Sequence, residues 1–175
     1  MAGGAGHVGS AAIVIAARAG ARVIASAAAA DHDYCRSLGA DVVLDYRDER
    51  LTDEIGAAAP NGLDVHLDTS AHHDLDAAVH LLAPRGRVVL MAGLEARPAF
   101  PVGALYTRDA RVLGFAISNA SSADLYSAAI RINQLLSEGS LAPRKTEILP
   151  LTAAAQAHLR LEMGEARGVR LALRP

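Results

Sequence analysis

The chain opens on Gly3-Gly4-Ala5-Gly6-His7-Val8-Gly9-Ser10, GGAGHVGS, and the reading of this stretch decides the fold. Gly4-Ala5-Gly6-His7-Val8-Gly9 has the spacing G-x-G-x-x-G and leads straight into residues 8–19, VGSAAIVIAARA, an apolar helical run stopped by Gly20. Each glycine has a physical task. The first turns the chain tightly, the second lets backbone approach a pyrophosphate, and the third lets helix and sheet pack closely. The helix start adds unpaired N–H groups and partial positive charge, which favour an anion. The loop alone is a weak signal. A strand-like run, Arg22–Ala27, starting about a dozen residues after the last glycine, makes dinucleotide binding the stronger reading.

In a doubly wound sheet of order 3-2-1-4-5-6, the strand feeding such a loop lies at the centre. Only Met1-Ala2 precede the glycines. The expectation is a gap or distorted pairing at mid-sheet, with backbone groups on both neighbours exposed or re-paired, in a chain that begins in the middle of a larger enzyme.

Beyond the loop, strand and helix signals alternate. Arg22–Ala27 (RVIASA) reads as a buried strand, Asp31–Leu38 as a short helix stopped by Gly39, and Asp41–Asp45 (DVVLD) as a second strand. A helix at Thr52–Ala59 and a Pro60-Asn61-Gly62 turn come next, then a strand at Leu63–Asp68 and a helix at Asp74–Leu82. A Pro84-Arg85-Gly86 turn leads to the strand Arg87–Ala92. Short apolar strands separated by helices argue a parallel sheet covered on both faces. Residues 94–110 read as a long connection with a helical turn before the strand Arg111–Phe115. A helix over Ser122–Glu138 and a strand-helix-strand tail (Lys145–Leu149, Thr152–Glu162, Val169–Leu173) complete the chain. The expected fold class is therefore α/β: a Rossmann-type doubly wound parallel sheet lacking most of its first, central strand, with a short C-terminal strand-helix-strand tail. Residues 1–142 form the truncated dinucleotide-binding domain and residues 143–175 the tail.

With 175 residues, 51% of them hydrophobic and only 3% aromatic, the chain has the size of about one soluble domain. Alanine inflates the apolar fraction, so the core must come from Val, Ile and Leu runs such as Arg22–Ala25 and Arg87–Met91. A net charge of -2 and scattered cations give no footprint for nucleic acid or an anionic membrane. No apolar run approaches a membrane span, no secretory signal is seen, and the single Cys35 excludes an intrachain disulfide. A reducing cytoplasm is the expected location.

The second strand reports on which dinucleotide is bound. NAD-selective sites place a carboxylate at its end for the ribose 2′-hydroxyl. Here that position is Ala25-Ser26-Ala27. A small hydroxyl offers a donor to a 2′-phosphate without repelling it, which favours NADP over NAD. Asp31 argues mildly against this unless it caps the following helix, and His32 and Arg36 are the nearest candidate cations.

The runs GGAGHVGSAAIVIAARAGARVIAS, HDYCRSLGADVVLDYR, LLAPRGRVVLMAG and LPLTAAAQAHLRLEMGEARGVRLAL resemble the cofactor half and C-terminal tail of medium-chain dehydrogenases/reductases. The similarity is greatest to the zinc-independent quinone oxidoreductases of the zeta-crystallin type. The resemblance implies that Gly4, Gly6, His7, Val8 and Gly9 wrap the pyrophosphate, while Ser26 and Tyr46 contact the adenosine phosphate. It places Thr69, Met91, Ala92 and Gly93 along the ribose and nicotinamide, and has Gly114, Phe115 and Ala116 offer backbone to the carboxamide. It implies NADP(H), a small quinone or enone as substrate, and a homodimer through the edge strand near Arg111–Phe115. It also implies that the tail packs on a catalytic domain not present in the chain. Two departures stand out: Ser70-Ala71-His72-His73 replaces a glycine-rich turn, and the tail reads Gly168-Val169-Arg170 in place of Gly-Lys.

No residue stands out as a catalytic acid or base. His66, His72, His73 and His80 lack metal-ligand spacing, and Cys35 reads as buried filler. The Tyr-x-x-x-Lys pair of short-chain reductases is excluded, because Leu141 precedes Lys145 by four positions. A methyltransferase would want a carboxylate where Ser26 stands. The reading is thus the NADP(H)-binding portion of an oxidoreductase, inactive by itself. The alternatives are a non-catalytic truncated dinucleotide-binding or interaction protein and, less favoured, a fragment of a zinc-type alcohol dehydrogenase.

Overall fold

A computed structural model describes all residues, 1–175. They form two compact units, Met1–Ser122 and Ala123–Pro175. In the first, α1 (His7–Arg18) leads to β1 (Ile24–Ala27), α2 (His32–Ser37), β2 (Val42–Asp45), α3 (Leu51–Ala58) and β3 (Leu63–Asp68). Then come α4 (Leu75–His80), β4 (Leu82–Leu90), α5 (Val102–Thr107) and β5 (Arg111–Gly114). All strand pairs are parallel: β1 with β2, β3 with β4, and β4 with β5. Every residue of β1 is buried, as expected of a parallel strand covered on both faces.

The middle of the sheet holds only a stub. Ala2 bridges Ser26 on one side and Asp68 on the other, both in parallel. The Ser26 N–H donates to the Met1 carbonyl at 2.9 Å, and the Ala2 N–H donates to the Leu67 carbonyl at 2.9 Å. The sheet order is therefore β2-β1-stub-β3-β4-β5. The expected disturbance at mid-sheet takes the form of re-pairing at the carboxyl ends and a cleft below them. This cleft, about 680 Å³, is lined by Ala12, Ile15 and Ala16 of α1, by residues 19–24, and by residues 59–65 and 67. It divides the core in two. Ile13, Val23, Ala25, Ala27, Cys35, Ala40 and Val43 form one cluster; Leu75, Ala78, Val79, Leu82 and Val88 form the other.

Two details depart from the sequence reading. β4 starts at Leu82, so Pro84-Arg85-Gly86 lies inside the strand as an irregularity: its pairing with β3 shifts register between Leu63 and Val65, and Arg85 takes φ +64°. The Arg85 N–H is satisfied by the Arg108 carbonyl at 2.7 Å, which anchors the bulge. The helical turn expected in residues 94–110 is α5, and Asp31 sits at the N-cap position of α2 without a side-chain capping bond.

The second unit contains nearly all of α6 (Ser122–Ser137), then β6 (Thr146–Pro150), α7 (Ala154–Glu162) and β7 (Arg170–Arg174). β6 and β7 pair in parallel, and Arg160 grips Glu147 through two hydrogen bonds of 2.8 and 2.9 Å. Leu135 is buried, whereas Leu125, Tyr126, Ile130, Leu151, Leu159 and Leu161 remain exposed. No helix is long and apolar enough to cross a membrane.

Candidate cofactor site

The loop before α1 is built around Gly9. A Cβ there would collide with the Gly3 carbonyl oxygen and lie 3.0 Å from the Gly4 Cα, so the helix can approach the stub only with glycine at this position. The Gly4 N–H donates to the Ser26 carbonyl at 2.9 Å, which ties the loop to the carboxyl end of β1. α1 has no side-chain cap and no acidic residue in its first turn. Its amino end is thus electropositive and free of a competing internal anion, a fit for a pyrophosphate. Gly4, Gly6, His7, Val8 and Gly9 all lie on this loop and first turn.

Ser26 and Tyr46 stand at the carboxyl ends of β1 and β2. Ser26 is the penultimate residue of β1 and 7% exposed; its backbone N–H and carbonyl pair with the stub and loop. Ala27 and the adjoining Ala28 form the rim. Tyr46 stands beside them, its N–H donating to the Ala27 carbonyl at 3.3 Å, with its side chain exposed. Arg47 places its guanidinium 5.0 Å from the Tyr46 ring centre, a cation–π pair at the end of β2. Arg47 belongs to the same DYR run as Tyr46. His32 turns back toward the Ala27 carbonyl at 3.4 Å, and Arg36 is paired with Asp33 at 3.0 Å.

The ends of β3 and β4 are joined by a group that the sequence reading took only as part of a histidine cluster. His73 Nδ1 lies 2.7 Å from an Asp68 carboxylate oxygen and its Nε2 lies 2.9 Å from the Ala92 carbonyl oxygen. Both ring nitrogens face acceptors, so both must carry protons for both bonds to form. The bond to Asp68 raises the His73 pKa above its ordinary value; burial opposes this, and the Ala92 bond adds to it. For Asp68, burial acts to raise the pKa, but hydrogen bonds from His73 and Ser70 outweigh it and hold the carboxyl below its usual range. The ring packs under Gly93, which takes φ +82° and whose Cβ, if present, would come 2.8 Å from His73 Cδ2. Thus Ser70-Ala71-His72-His73, in the place of a glycine-rich turn, forms a clasp between two strand ends.

The remaining positions follow the sheet. Thr69 continues β3, and its hydroxyl donates to the Ala2 carbonyl at 2.9 Å, so this side chain braces the stub. Met91, Ala92 and Gly93 continue β4, and Gly114, Phe115 and Ala116 end β5; the Phe115 N–H donates to the Leu90 carbonyl at 3.0 Å. His66, two residues before the end of β3, has a covered Nδ1 without a partner. Burial chiefly, with the Met1 amino group adding, lowers its pKa to about 4. His80 bonds the Asp76 carbonyl at 2.8 Å, and no three His, Cys, Asp or Glu side chains converge as a metal site would require. Cys35 is buried in the first core cluster.

Residues 8–134 match the family described as zinc-binding dehydrogenase. The chain belongs to that family. It represents the cofactor-binding half of the medium-chain dehydrogenase/reductase superfamily that the sequence resembles. The NADP-dependent oxidoreductase RED1 of Cochliobolus heterostrophus is 27% identical over 119 residues, 62% of this chain and 34% of RED1. The trans-enoyl reductase himH of Aspergillus japonicus is 42% identical over 60 residues, 34% of this chain and 18% of himH. The crystal structure of AibC superimposes with a TM-score of 0.85 at 28% identity, over 99% of this chain and 52% of AibC. The chain thus spans about half of AibC and less of the curated relatives it matches.

Proposed function

We propose that this chain is the NADP(H)-binding portion of an oxidoreductase that delivers hydride to a quinone or conjugated carbonyl. The observation that carries the reading is the uncapped amino end of α1, without an acidic residue in its first turn, at the carboxyl edge of a parallel sheet. Relatives named as an NADP-dependent oxidoreductase and a trans-enoyl reductase support the reaction class.

When bound, the cofactor supplies the hydride itself. The chain's part is to bind and orient. The loop of Gly4 and Gly6, whose own N–H groups are tied to the Ser26 and Gly3 carbonyls, and the first-turn backbone of His7, Val8 and Gly9 wrap the pyrophosphate, and Tyr46 and Arg47, with Ser26 behind them, take the adenosine phosphate. Thr69 and Met91–Gly93 flank the ribose and nicotinamide, and Gly114, Phe115 and Ala116 offer backbone to the carboxamide. The His73 clasp fixes the height of Ala92 and Gly93, and no residue of the chain acts as acid or base. The reading includes a cytoplasmic protein without a metal, a homodimer through the exposed edge of β5, and residues 143–175 packing on a catalytic domain supplied from elsewhere.

Calorimetric titration of the purified chain tests the cofactor assignment. NADPH is expected to bind at least tenfold more tightly than NADH, and NADPH oxidation with a simple quinone is expected to be absent. Equal affinity for the two nucleotides would sink the NADP assignment, and quinone turnover by the chain alone would sink the half-enzyme reading.

A further inference from the structure

The His73 clasp holds one peptide plane at the carboxyl end of the sheet. The Met91 N–H continues the ladder by donating to the Asp68 carbonyl at 3.2 Å, and the next carbonyl, that of Ala92, turns to His73 Nε2 at 2.9 Å. In a trans peptide the C=O and the following N–H point in opposite directions, so the Gly93 N–H is aimed away from the imidazole. No acceptor of the chain meets it. Gly93, at φ +82° and without a side chain, turns the backbone over the ring. Ala92 is exposed, so packing does not hold this plane; the bond from His73 does.

The grip depends on a proton. One carboxylate oxygen of Asp68 is taken by the Ser70 N–H and hydroxyl, at 2.8 Å each, and the other faces His73 Nδ1 at 2.7 Å. A neutral His73 therefore keeps its single proton on Nδ1, where the acceptor is charged. Its bare Nε2 then meets the Ala92 carbonyl oxygen lone pair against lone pair, and the bond becomes a repulsion that turns the plane out toward water.

We infer that His73 is a positioning residue for the nicotinamide half of the dinucleotide: as imidazolium it presents the Gly93 N–H to a ribose hydroxyl or carboxamide oxygen, and on deprotonation it lets that donor go. This role rests on the reading in which Met91–Gly93 flank that half of the cofactor. It makes cofactor grip depend on pH through a side chain that takes no part in hydride transfer. The neighbouring charges act differently. His66 on β3 stays neutral, its pKa lowered to about 4 chiefly by burial. Asp74 caps α4 through the Ala77 N–H at 2.9 Å, His72 is exposed on the same turn, and Glu95 and Arg97 beyond β4 face each other in solvent at 4.0 Å. The Met1 amino group, whose pKa burial lowers to about 6 against the field of Asp68, titrates in the same range. A variant that keeps all of these and alters His73 alone isolates the clasp.

The test uses the full 175-residue chain and His73→Gln, whose amide nitrogen stands near the place of Nε2 and donates to the Ala92 carbonyl without titrating. Affinity for NADPH is measured by calorimetry between about pH 6 and 9. Adenosine 2′,5′-bisphosphate, which keeps the 2′-phosphate and lacks the nicotinamide half, is measured beside it, and the His73 ring is followed by NMR. The NADPH affinity of the unaltered chain, taken relative to His73→Gln at each pH, is expected to fall about tenfold as the ring loses its proton. The same ratio for the bisphosphate should stay level. Coupling of that size acts equally from either side, so saturating NADPH should raise the His73 pKa by about 1, and the bisphosphate should leave it in place. The Gly93 amide signal should titrate with the ring. A level NADPH ratio, an equal fall for both ligands, or a Gly93 signal indifferent to the ring would overturn the inference and leave the cofactor reading intact. Failure of both ligands to bind at any pH would overturn that reading, and the role of His73 with it. If His73→Gln does not fold, the response of the His73 pKa to NADPH in the unaltered chain still decides.

Discussion

Replacing His73 by alanine puts the clasp between β3 and β4 to a quantitative test. The side chain is 3% exposed and Asp68 is 4% exposed, so the variant leaves a buried carboxylate without its charged partner and the Ala92 carbonyl without its donor. Breaking a buried ion pair from one side typically costs about 3–5 kcal/mol. Asp68 keeps two hydrogen bonds from Ser70, at 2.8 Å each, which places the expected loss at the lower end, about 3 kcal/mol, or roughly a hundredfold in the folded-to-unfolded ratio. Urea denaturation below the ordinary histidine pKa, near pH 6, measures it. The pH dependence separates an ion pair from mere packing. His73 has a raised folded-state pKa, so its contribution is complete below its unfolded value and fades as pH rises through the folded one. Asp68 has a lowered folded-state pKa, so its contribution fades as pH falls through that value. The difference in stability between the unaltered protein and His73→Ala should therefore plateau between these limits and shrink on both sides. A loss below about 1 kcal/mol, the scale of a neutral hydrogen bond, or a difference that does not vary with pH, would refute the charged clasp.

Three other expectations follow from the same geometry. His66, held at a pKa of about 4 by burial, remains neutral in the fold, so stability should fall by about 3 kcal/mol as pH drops from its ordinary value toward 4; His66→Leu should remove that part of the acid limb in urea titrations. Gly9→Ala forces a methyl group against the Gly3 carbonyl, and NADPH affinity by calorimetry should fall at least tenfold while heteronuclear NMR shows shifts concentrated in residues 2–10. Arg47→Ala should weaken NADPH by about tenfold and leave NADH nearly unchanged, since a phosphate contact of this kind carries about 1.4 kcal/mol; equal losses for both nucleotides would mean that Arg47 does not meet the 2′-phosphate.

The features legible in the sequence were those set by local rules. The G-x-G-x-x-G spacing located α1, and the runs ending at Ala27, Asp45 and Asp68 located three parallel strands, because short stretches rich in Val, Ile and Leu stand there between glycine stops and turn residues. β4 was harder. Pro84 and Gly86 carry turn chemistry, and only pairing with Leu63 and the anchor from Arg108 turn them into a bulge within the strand. The clasp was illegible for a different reason: His73 acts on Ala92, 19 residues away, and nothing local to either says that their strands lie side by side. Ser26 illustrates a third limit. Its place one residue before the strand end at Ala27 was visible, but its burial follows from the stub and loop that pair with its backbone, which nothing local to Ser26 announces.

The stub has a consequence for cooperativity. The two apolar clusters of the first unit lie on opposite sides of the cleft, and at mid-sheet the strands bearing them are joined by little more than residues 1–4 and Thr69. A sheet with a full central strand unfolds as one body because every strand props its neighbours. Here β1-β2 and β3-β4-β5 are set up as two foldons, each with its own opening free energy, coupled through a few backbone bonds at one end. Melting one half would expose the other's inner edge, so whatever bridges the two halves also decides whether the unit behaves as a single thermodynamic system.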